Sequence, residues 1–349
     1  MRWDNLTAPP VEGDPERAAP ATPPLPLALP GAVARTFDTP EFAGMTFYEV
    51  RAKSIINRVP GQSRVPFEWT INPYRGCSHA CVYCYARNTH TYLDLDAGAD
   101  FDRKVIVKVN AGELVRRELA APKWRGAHVA MGTNVDCYQR AEGRYRLMPQ
   151  IIAALRDFAN PFSILTKGTL ILRDLPLLRE AAEVTTVGIS YSVGFVDEQL
   201  WRSVEPGTPH PRRRLDAVRA LADAGFSVGV LMAPILPGLS DSDESIDATV
   251  SAIAAAGATS VTPLALHLRP GAREWYAHWL AREYPHLVPR YRELYRAGSY
   301  APQAYQRELT ARVRIAARRH GLHRAEQGDN RHLPEPPPPP AAAEQLTLL

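Results

Sequence analysis

The sequence predicts an α/β protein whose parallel strands form a partial (β/α) barrel of the TIM type. Short apolar segments of strand length alternate with amphipathic helical segments through most of the 349-residue chain. Two of the helical segments end at a glycine, as helices commonly do. The number of strand–helix repeats favours a barrel, whose active site would lie at the carboxyl ends of the strands.

The predicted elements follow one another regularly along the chain. The strands are 67–71, 104–109, 128–133, 162–167, 184–192, 226–235 and 258–266. The helices between them are 111–120, 148–159, 173–183, 212–225 and 243–257. This alternation predicts one parallel sheet that is covered by helices.

Both ends of the chain have a different composition. Residues 1–44 are rich in proline and alanine without apolar periodicity, which predicts a disordered arm. Residues 326–349 form a proline-rich tail in which consecutive prolines favour an extended spacer. We therefore expect the folded domain to cover residues 45–325.

Composition excludes several classes of protein. The sequence contains neither an apolar run long enough to span a membrane nor a signal peptide, so we expect a cytoplasmic protein. The net charge of +4 is too small to indicate nucleic-acid binding unaided. Three of the four cysteines fall within eight positions, a spacing that suits metal or cluster binding better than disulfides.

Those three cysteines, Cys77, Cys81 and Cys84, follow the first predicted strand at the spacing CxxxCxxC. Three thiolates can bind three irons of a 4Fe-4S cluster. The fourth iron is then free to bind S-adenosylmethionine (SAM), and electron transfer to SAM yields a 5'-deoxyadenosyl radical. The alternative is a structural zinc site with His79 or His90 as fourth ligand, but zinc motifs usually have a second paired half, which this sequence lacks.

The motif, with the aromatic Tyr83 before its third cysteine, resembles that of the radical SAM superfamily, whose members share a full or partial (β/α) barrel. More narrowly, the chain resembles the spore photoproduct lyase and DNA repair photolyase-related branch. The segments that carry the resemblance are 72–87, 132–139, 164–178, 204–226 and 233–241. It implies a partial barrel of the radical SAM kind, a 4Fe-4S cluster and SAM as cofactors, and an electron donor such as flavodoxin or ferredoxin.

The resemblance also implies that groups at successive strand ends hold SAM. The residues at these positions are Tyr83, Gly132, Thr133, Lys167, Ser190, Ser192, Glu205 and Pro234.

Each SAM-binding position has its own rationale or alternative. Gly132 and Thr133 end the third predicted strand, where a glycine admits close backbone approach and a hydroxyl can bond SAM; an ordinary turn is the alternative. Lys167 resembles a lysine that contacts SAM in photoproduct lyases, although a solvated lysine is common at such a place. Glu205 either contacts the ribose or caps the helix that begins near Pro211.

The two serines and the proline complete this set. Ser190 and Ser192 alternate along one strand and so share a face, where a polar group without a ligand would be costly. Pro234, with Pro237 and Gly238, shapes a loop that matches the adenine-supporting region of relatives.

Two residues are candidates for hydrogen transfer. Tyr85 follows the third cysteine directly, where photoproduct lyases have a tyrosine implicated in returning hydrogen to the radical. Cys137 lies close to the region of their hydrogen-donating cysteine, but the donor aligns nearer to Gly132, so an inert buried cysteine is the alternative.

The C-terminal peptide resembles the motif by which bacterial repair and replication proteins bind the DNA polymerase sliding clamp. Its anchors would be Gln345, Leu346, Leu348 and Leu349. A chance leucine-ended tail is the alternative.

These features favour a radical SAM enzyme that acts on damaged DNA. Its rivals are radical modification of RNA, a protein side chain or a metabolite, and a non-catalytic clamp-binding or zinc-stabilised adaptor.

Overall fold

A computed structural model describes residues 29, 31–60 and 65–322 of the chain. The strands are β1 (Val33–Arg35), β2 (Thr46–Val50), β3 (Ile56–Arg58), β4 (Trp69–Ile71), β5 (Tyr74–Arg75), β6 (Lys104–Lys108), β7 (Val129–Met131), β8 (Phe162–Thr166), β9 (Val187–Ser192), β10 (Val228–Ile235) and β11 (Ser260–Ala265).

The helices alternate with the strands of the central region. The α-helices are α1 (Ala99–Arg103), α2 (Ala111–Leu119), α3 (Arg140–Tyr145), α4 (Leu147–Asp157), α5 (Leu175–Val184), α6 (Glu198–Val204), α7 (Pro211–Asp223), α8 (Asp243–Ala255), α9 (Ala272–Glu283), α10 (Val288–Leu294) and α11 (Gln303–Arg319). Short 3-10 helices cover Pro40–Phe42, Tyr85–Leu93, Thr169–Asp174 and Pro285–Leu287.

The main sheet is a partial barrel. In the part of the chain that the structure describes, its order is β11-β10-β9-β8-β7-β4-β3. Every neighbouring pair from β4 to β11 is parallel, and only β3 runs antiparallel at the edge. Since the crossovers carry helices, β7, β8 and β10 are largely buried on both faces, as their apolar sequences indicate. The predicted α/β partial barrel is confirmed.

One predicted strand belongs to another sheet. The segment 104–109 contains β6, which lies between β2 and β5 in a four-stranded sheet of order β1-β2-β6-β5. Val105 and Val107 are fully buried there. An apolar run indicates that a strand is covered on both faces, but not which strands pair with it, so assigning this one to the barrel was wrong.

The N-terminal boundary also differs from the expected residue 45. Strand β1 pairs with β2, and Phe42 is buried in the main core. The proline and alanine content of the first residues therefore extended the predicted arm too far. Most of that arm, residues 1–28, lies outside the described residues, as does the predicted tail 326–349 with the peptide expected to bind a sliding clamp.

The C-terminal helix completes the barrel wall. Helix α11 packs against α8 and β11 and buries Leu309 and Val313. Leu322, close to the predicted domain end, is also buried. Among the described residues, no helix is both long enough and apolar enough to cross a membrane.

The four-stranded sheet should contribute strongly to stability. Phe47 on β2 is fully buried, and its ring centre lies 5.4 Å from that of Phe37 and 5.2 Å from that of Phe42. We expect Phe47→Ala to lower the free energy of unfolding by about 3–5 kcal/mol, because it leaves a cavity. Urea denaturation would measure this, with Ile315→Ala on the exposed face of α11 as control. Equal stability of the two variants would show that the sheet is not part of the cooperative core.

Candidate functional site

The cysteine loop, residues 76–84, lies between β5 and the 3-10 helix that begins at Tyr85. Two tight turns form it, in which the Ala80 amide donates to the Cys77 carbonyl and the Cys84 amide to that of Cys81, both at 3.2 Å. Cys77 and Cys81 are buried, and burial raises the pKa of the Cys81 thiol to about 12. Such thiols keep their protons unless a cation replaces them.

Buried amide groups fix this loop to the barrel. The side chain of Gln139 accepts from the Ser78 amide at 2.8 Å and donates to the Gly76 carbonyl at 2.9 Å. The Val82 amide donates to the carbonyl of Val204 at the end of α6. The loop is therefore held by the segments that follow β7 and β9.

The Arg87 side chain holds the backbone of the second cysteine in place. Its guanidinium is fully buried and donates to the Cys81 carbonyl at 2.9 Å and to the Asp102 carboxylate at 2.8 Å. The rings of Phe101 and Trp275 lie 5.2 and 4.9 Å from it. Burial raises the pKa of Asp102 to about 6, even though Arg87 favours its charged form.

A buried contact between His79 and Asp136 connects the loop to β7 and β8. His79 Nδ1 lies 3.3 Å from Asp136, which also accepts from the Thr166 hydroxyl at 2.6 Å and from the Lys167 amide at 2.7 Å. Burial alone would raise the pKa of Asp136, but His79 and these donors lower it well below its usual range. The carboxylate thus holds the loop and the end of β8 together.

The arrangement of donor atoms bears on the zinc alternative. Among residues 31–60 and 65–322, no three His, Cys, Asp or Glu side chains surround one point as a single ion requires. A cubane cluster has no such requirement, because each thiolate binds a different iron. The loop offers three thiols, the number of protein ligands that a 4Fe-4S cluster with one open iron takes.

The ends of β4 and β7 are hydrogen-bonded to each other and to the tyrosine that follows the third cysteine. Gly132 directly follows β7 with φ +80°, and a Cβ there would lie 1.8 Å from the Leu165 carbonyl oxygen, so only glycine fits. The hydroxyls of Thr133 and Thr70 are 2.8 Å apart. The Tyr85 hydroxyl donates to the Thr133 carbonyl, so the tyrosine after the cluster motif touches this strand end.

Glu205 is the centre of a second buried group. Its carboxylate is 1% exposed, pairs with Arg214 and accepts from the Tyr83 hydroxyl. Burial would raise the pKa of Glu205, but Arg214 and Lys167 reverse the direction, so it is lowered. The Lys167 ammonium lies 5.7 Å from the centre of the Tyr83 ring. Tyr83, Lys167 and Glu205, which the sequence treated separately, therefore form one group.

The capping alternative for Glu205 is wrong. The N-cap of α7 is His210, whose side chain accepts from the Arg212 amide at 3.1 Å. Because Arg214 and Tyr83 occupy the Glu205 carboxylate, it is not available to the helix amides. The reason lies in the buried charge of Arg214, which no local sequence pattern reveals.

The remaining predicted positions lie at β9, β10 and in the core. Ser190 and Ser192 are both buried, and Ser192 donates to the Ala233 carbonyl at 3.1 Å. Pro234 follows that carbonyl through a cis peptide bond. Cys137 is fully buried in the main core, and burial raises the pKa of its thiol. Burial leaves the Cys137 thiol without exposed surface.

Sequence reasoning did not single out several of the residues that support the site. They are Arg87, Asp136, Gln139 and Arg214. All four lie in segments that carry the family resemblance, namely 72–87, 132–139 and 204–226, and this was the available sign of a role. Their partners are distant in sequence and are known only from the structure.

Replacement of Arg87 should show what its buried charge contributes. We expect Arg87→Met to lower the free energy of unfolding by about 3–5 kcal/mol, because it strands Asp102 and the Cys81 carbonyl without a partner. Urea denaturation of Arg282→Met, which removes an exposed pair with Glu283, should show a loss of less than about 1 kcal/mol. A small loss for Arg87→Met would contradict its supporting role.

Comparisons with known proteins agree with this geometry. A family model described as the radical SAM superfamily matches residues 71–249. The chain is 50% identical over 325 residues to an uncharacterized protein of Mycobacterium tuberculosis, Rv2578c. The aligned part is 92% of this chain and 94% of the relative. An uncharacterized protein of Methanocaldococcus jannaschii, MJ0683, is 28% identical over 195 residues, or 55% of this chain and 69% of the relative.

Solved structures of similar fold include spore photoproduct lyase complexed with dinucleoside spore photoproduct. It has a TM-score of 0.58 at 15% identity, covering 78% of this chain and 79% of the other. At this identity the likeness shows the fold alone. Together with the matched family model, it shows that the chain is an enzyme of the radical SAM superfamily, which uses a 4Fe-4S cluster and SAM.

Proposed function

We propose that Cys77, Cys81 and Cys84 each bind one iron of the cluster and that the radical formed from SAM acts on damaged DNA. The observation that supports this most is the set of three thiols on a loop fixed at the carboxyl ends of parallel strands. That edge is where (β/α) barrels carry their active sites. When bound, the cluster supplies the electron that breaks a carbon–sulfur bond of SAM and yields the 5'-deoxyadenosyl radical.

The residues around the loop would bind and orient SAM. Lys167 offers a cation to the SAM carboxylate, and Gly132 and Thr133 offer close backbone approach and a hydroxyl. Ser190 and Pro234 line the neighbouring strand ends. Glu205 positions Tyr83 rather than contacting the ribose. Its carboxylate accepts a hydrogen bond from the tyrosine hydroxyl and pairs with Arg214.

In this proposal the Tyr85 phenol gives its hydrogen atom to the substrate radical. The tyrosyl radical left behind takes one electron from the flavodoxin- or ferredoxin-type donor and one proton, which restores the phenol. Tyr85 directly follows the third cysteine in sequence, and its phenol is oriented by the Thr133 carbonyl. Cys137, the other candidate, is 0% exposed and packs in the main core. A buried thiol without an open face is poorly suited to reach a substrate radical.

The choice of DNA as substrate rests on the likeness to spore photoproduct lyase, one solved structure of which contains a dinucleoside photoproduct. RNA, a protein side chain or a metabolite would be served by the same radical and remain the rival substrates. An electron donor such as flavodoxin or ferredoxin would reduce the cluster. Binding of the tail to a sliding clamp stays a prediction, since residues 345–349 lie outside the described part.

Loss of the cysteines should abolish SAM cleavage. After anaerobic reconstitution with iron and sulfide, and with dithionite as reductant, the protein should form 5'-deoxyadenosine. The Cys77→Ala, Cys81→Ala, Cys84→Ala triple variant should form none and retain little iron, because three of the cluster's ligands are gone. Cys137→Ala is the matched control and should keep both the formation of 5'-deoxyadenosine and the iron content. A zinc-loaded, inactive wild-type protein would favour the adaptor alternative instead.

Damaged DNA should couple SAM cleavage to repair. We expect ultraviolet-irradiated, thymine-rich DNA to raise the rate of 5'-deoxyadenosine formation severalfold over undamaged DNA, because substrate binding aligns the reacting atoms. Chromatography would measure deoxyadenosine and the remaining photoproduct. Tyr85→Phe should still cleave SAM but repair fewer lesions per deoxyadenosine. Equal rates with irradiated and intact DNA would direct the search to RNA, protein or metabolites.

A further inference from the structure

Three rings and one guanidinium stand in a row beside the third cysteine. The ring centres of Tyr85 and His267 are 5.5 Å apart, and those of His267 and Tyr300 are 5.6 Å apart with planes inclined by only 22°. The guanidinium of Arg269 lies 5.3 Å from the centre of the Tyr85 ring. Tyr85, His267, Tyr300 and Arg269 are called the aromatic row below.

The fold places the aromatic row across the mouth of the partial barrel. His267 leaves the carboxyl end of β11 and forms an isolated β-bridge with Tyr300. At the other side, the Tyr85 hydroxyl donates to the carbonyl of Thr133, just after β7. The row therefore stands on the same edge of the sheet as the cysteine loop, and it spans the distance between two strands that are not neighbours.

Charge is concentrated at one end of the row. Burial, assisted by the neighbouring Arg269, lowers the pKa of His267 to about 4, so its ring is neutral at physiological pH. Tyr300 is 47% exposed, and Arg269 is exposed as well. The row thus presents neutral ring surface and one cation to solvent, whereas rings that only fill a core are covered on all sides.

We propose that the aromatic row is a stacking surface for unpaired nucleobases next to the radical site. Aromatic faces and guanidinium planes bind bases by stacking, largely independently of sequence, and the cation adds attraction for the adjacent phosphates. Inside a duplex the base faces are already stacked, so the bases must be single-stranded or turned out. Enzymes that act on a base generally take it out of the helix for this reason.

This inference rests on the proposed function in one respect, the nucleic acid nature of the substrate. It adds that the enzyme holds bases in an unstacked state and names the residues that hold them. The row is preorganised, since Tyr85 and His267 are fixed by neighbours, which lowers the entropic cost of binding. Tyr300 is 47% exposed, so its ring is the part of the row that a base can reach.

Binding of short labelled oligonucleotides to the full-length protein tests this directly. Fluorescence anisotropy would compare single-stranded DNA, single-stranded RNA of the same sequence, and duplex DNA. The variants are Tyr300→Ala, Tyr300→Phe and His267→Ala, and the control is Tyr92→Ala, an aromatic residue that is 72% exposed on the 3-10 helix after the cysteine loop. Circular dichroism would check that each variant is folded.

The expected result depends on the aromatic ring and not on the tyrosine hydroxyl. Tyr300→Ala should raise the Kd for single-stranded DNA about tenfold, the effect of losing one stacked base. His267→Ala should weaken binding similarly, whereas Tyr300→Phe and Tyr92→Ala should stay within about twofold of the wild type. Duplex DNA should bind more weakly and respond little to these substitutions.

Several outcomes separate this inference from the proposed function. An unchanged Kd for Tyr300→Ala and His267→Ala, or tighter binding of duplex than of single strands, would overturn the stacking surface and leave SAM cleavage untouched. Tighter binding of RNA, with the same loss in Tyr300→Ala, would support the surface and overturn DNA as substrate. If the wild type binds no oligonucleotide, both the surface and the nucleic acid substrate fail.

Discussion

Every peptide group in a buried loop needs a hydrogen-bond partner, and the cysteine loop finds its partners in its own turns and in backbone and side-chain groups of other segments. The Gln139 side chain accepts from the amide of Ser78 and donates to the carbonyl of Gly76, and Arg87 donates to the carbonyl of Cys81. The loop cannot shift without leaving these groups unpaired. The position of the three thiols over the strand ends depends on this constraint.

The same region contains buried charge that would be destabilising in isolation. Asp136 is compensated by His79 and by donors at the end of β8, and Glu205 by Arg214 and Tyr83. Each carboxylate thereby joins the cysteine loop to a different part of the barrel. The electrostatic cost of burial is offset only when loop and strand ends are in their final positions, which makes the site a cooperative unit.

Tyr85 connects this unit to the barrel mouth. It follows the third cysteine in sequence, bonds the backbone after β7 and touches His267 after β11. In the proposed function the same residue returns hydrogen and begins a stacking surface, so chemistry and substrate binding would meet at one ring. Placing the hydrogen donor and the base-binding surface at one residue suits a radical that has to be confined near its target.

The sequence by itself determined the cysteine motif, the alternation of strands and helices and hence the chemical class and the partial barrel. These depend on local spacing and periodicity, which can be read directly from the linear sequence. It could not assign β6 to the second sheet, pair Glu205 with Arg214, or bring His267 and Tyr300 to Tyr85. Only the tertiary structure decided these, because a strand's neighbour and a buried charge's partner are set by packing between distant segments, and no local pattern encodes that choice.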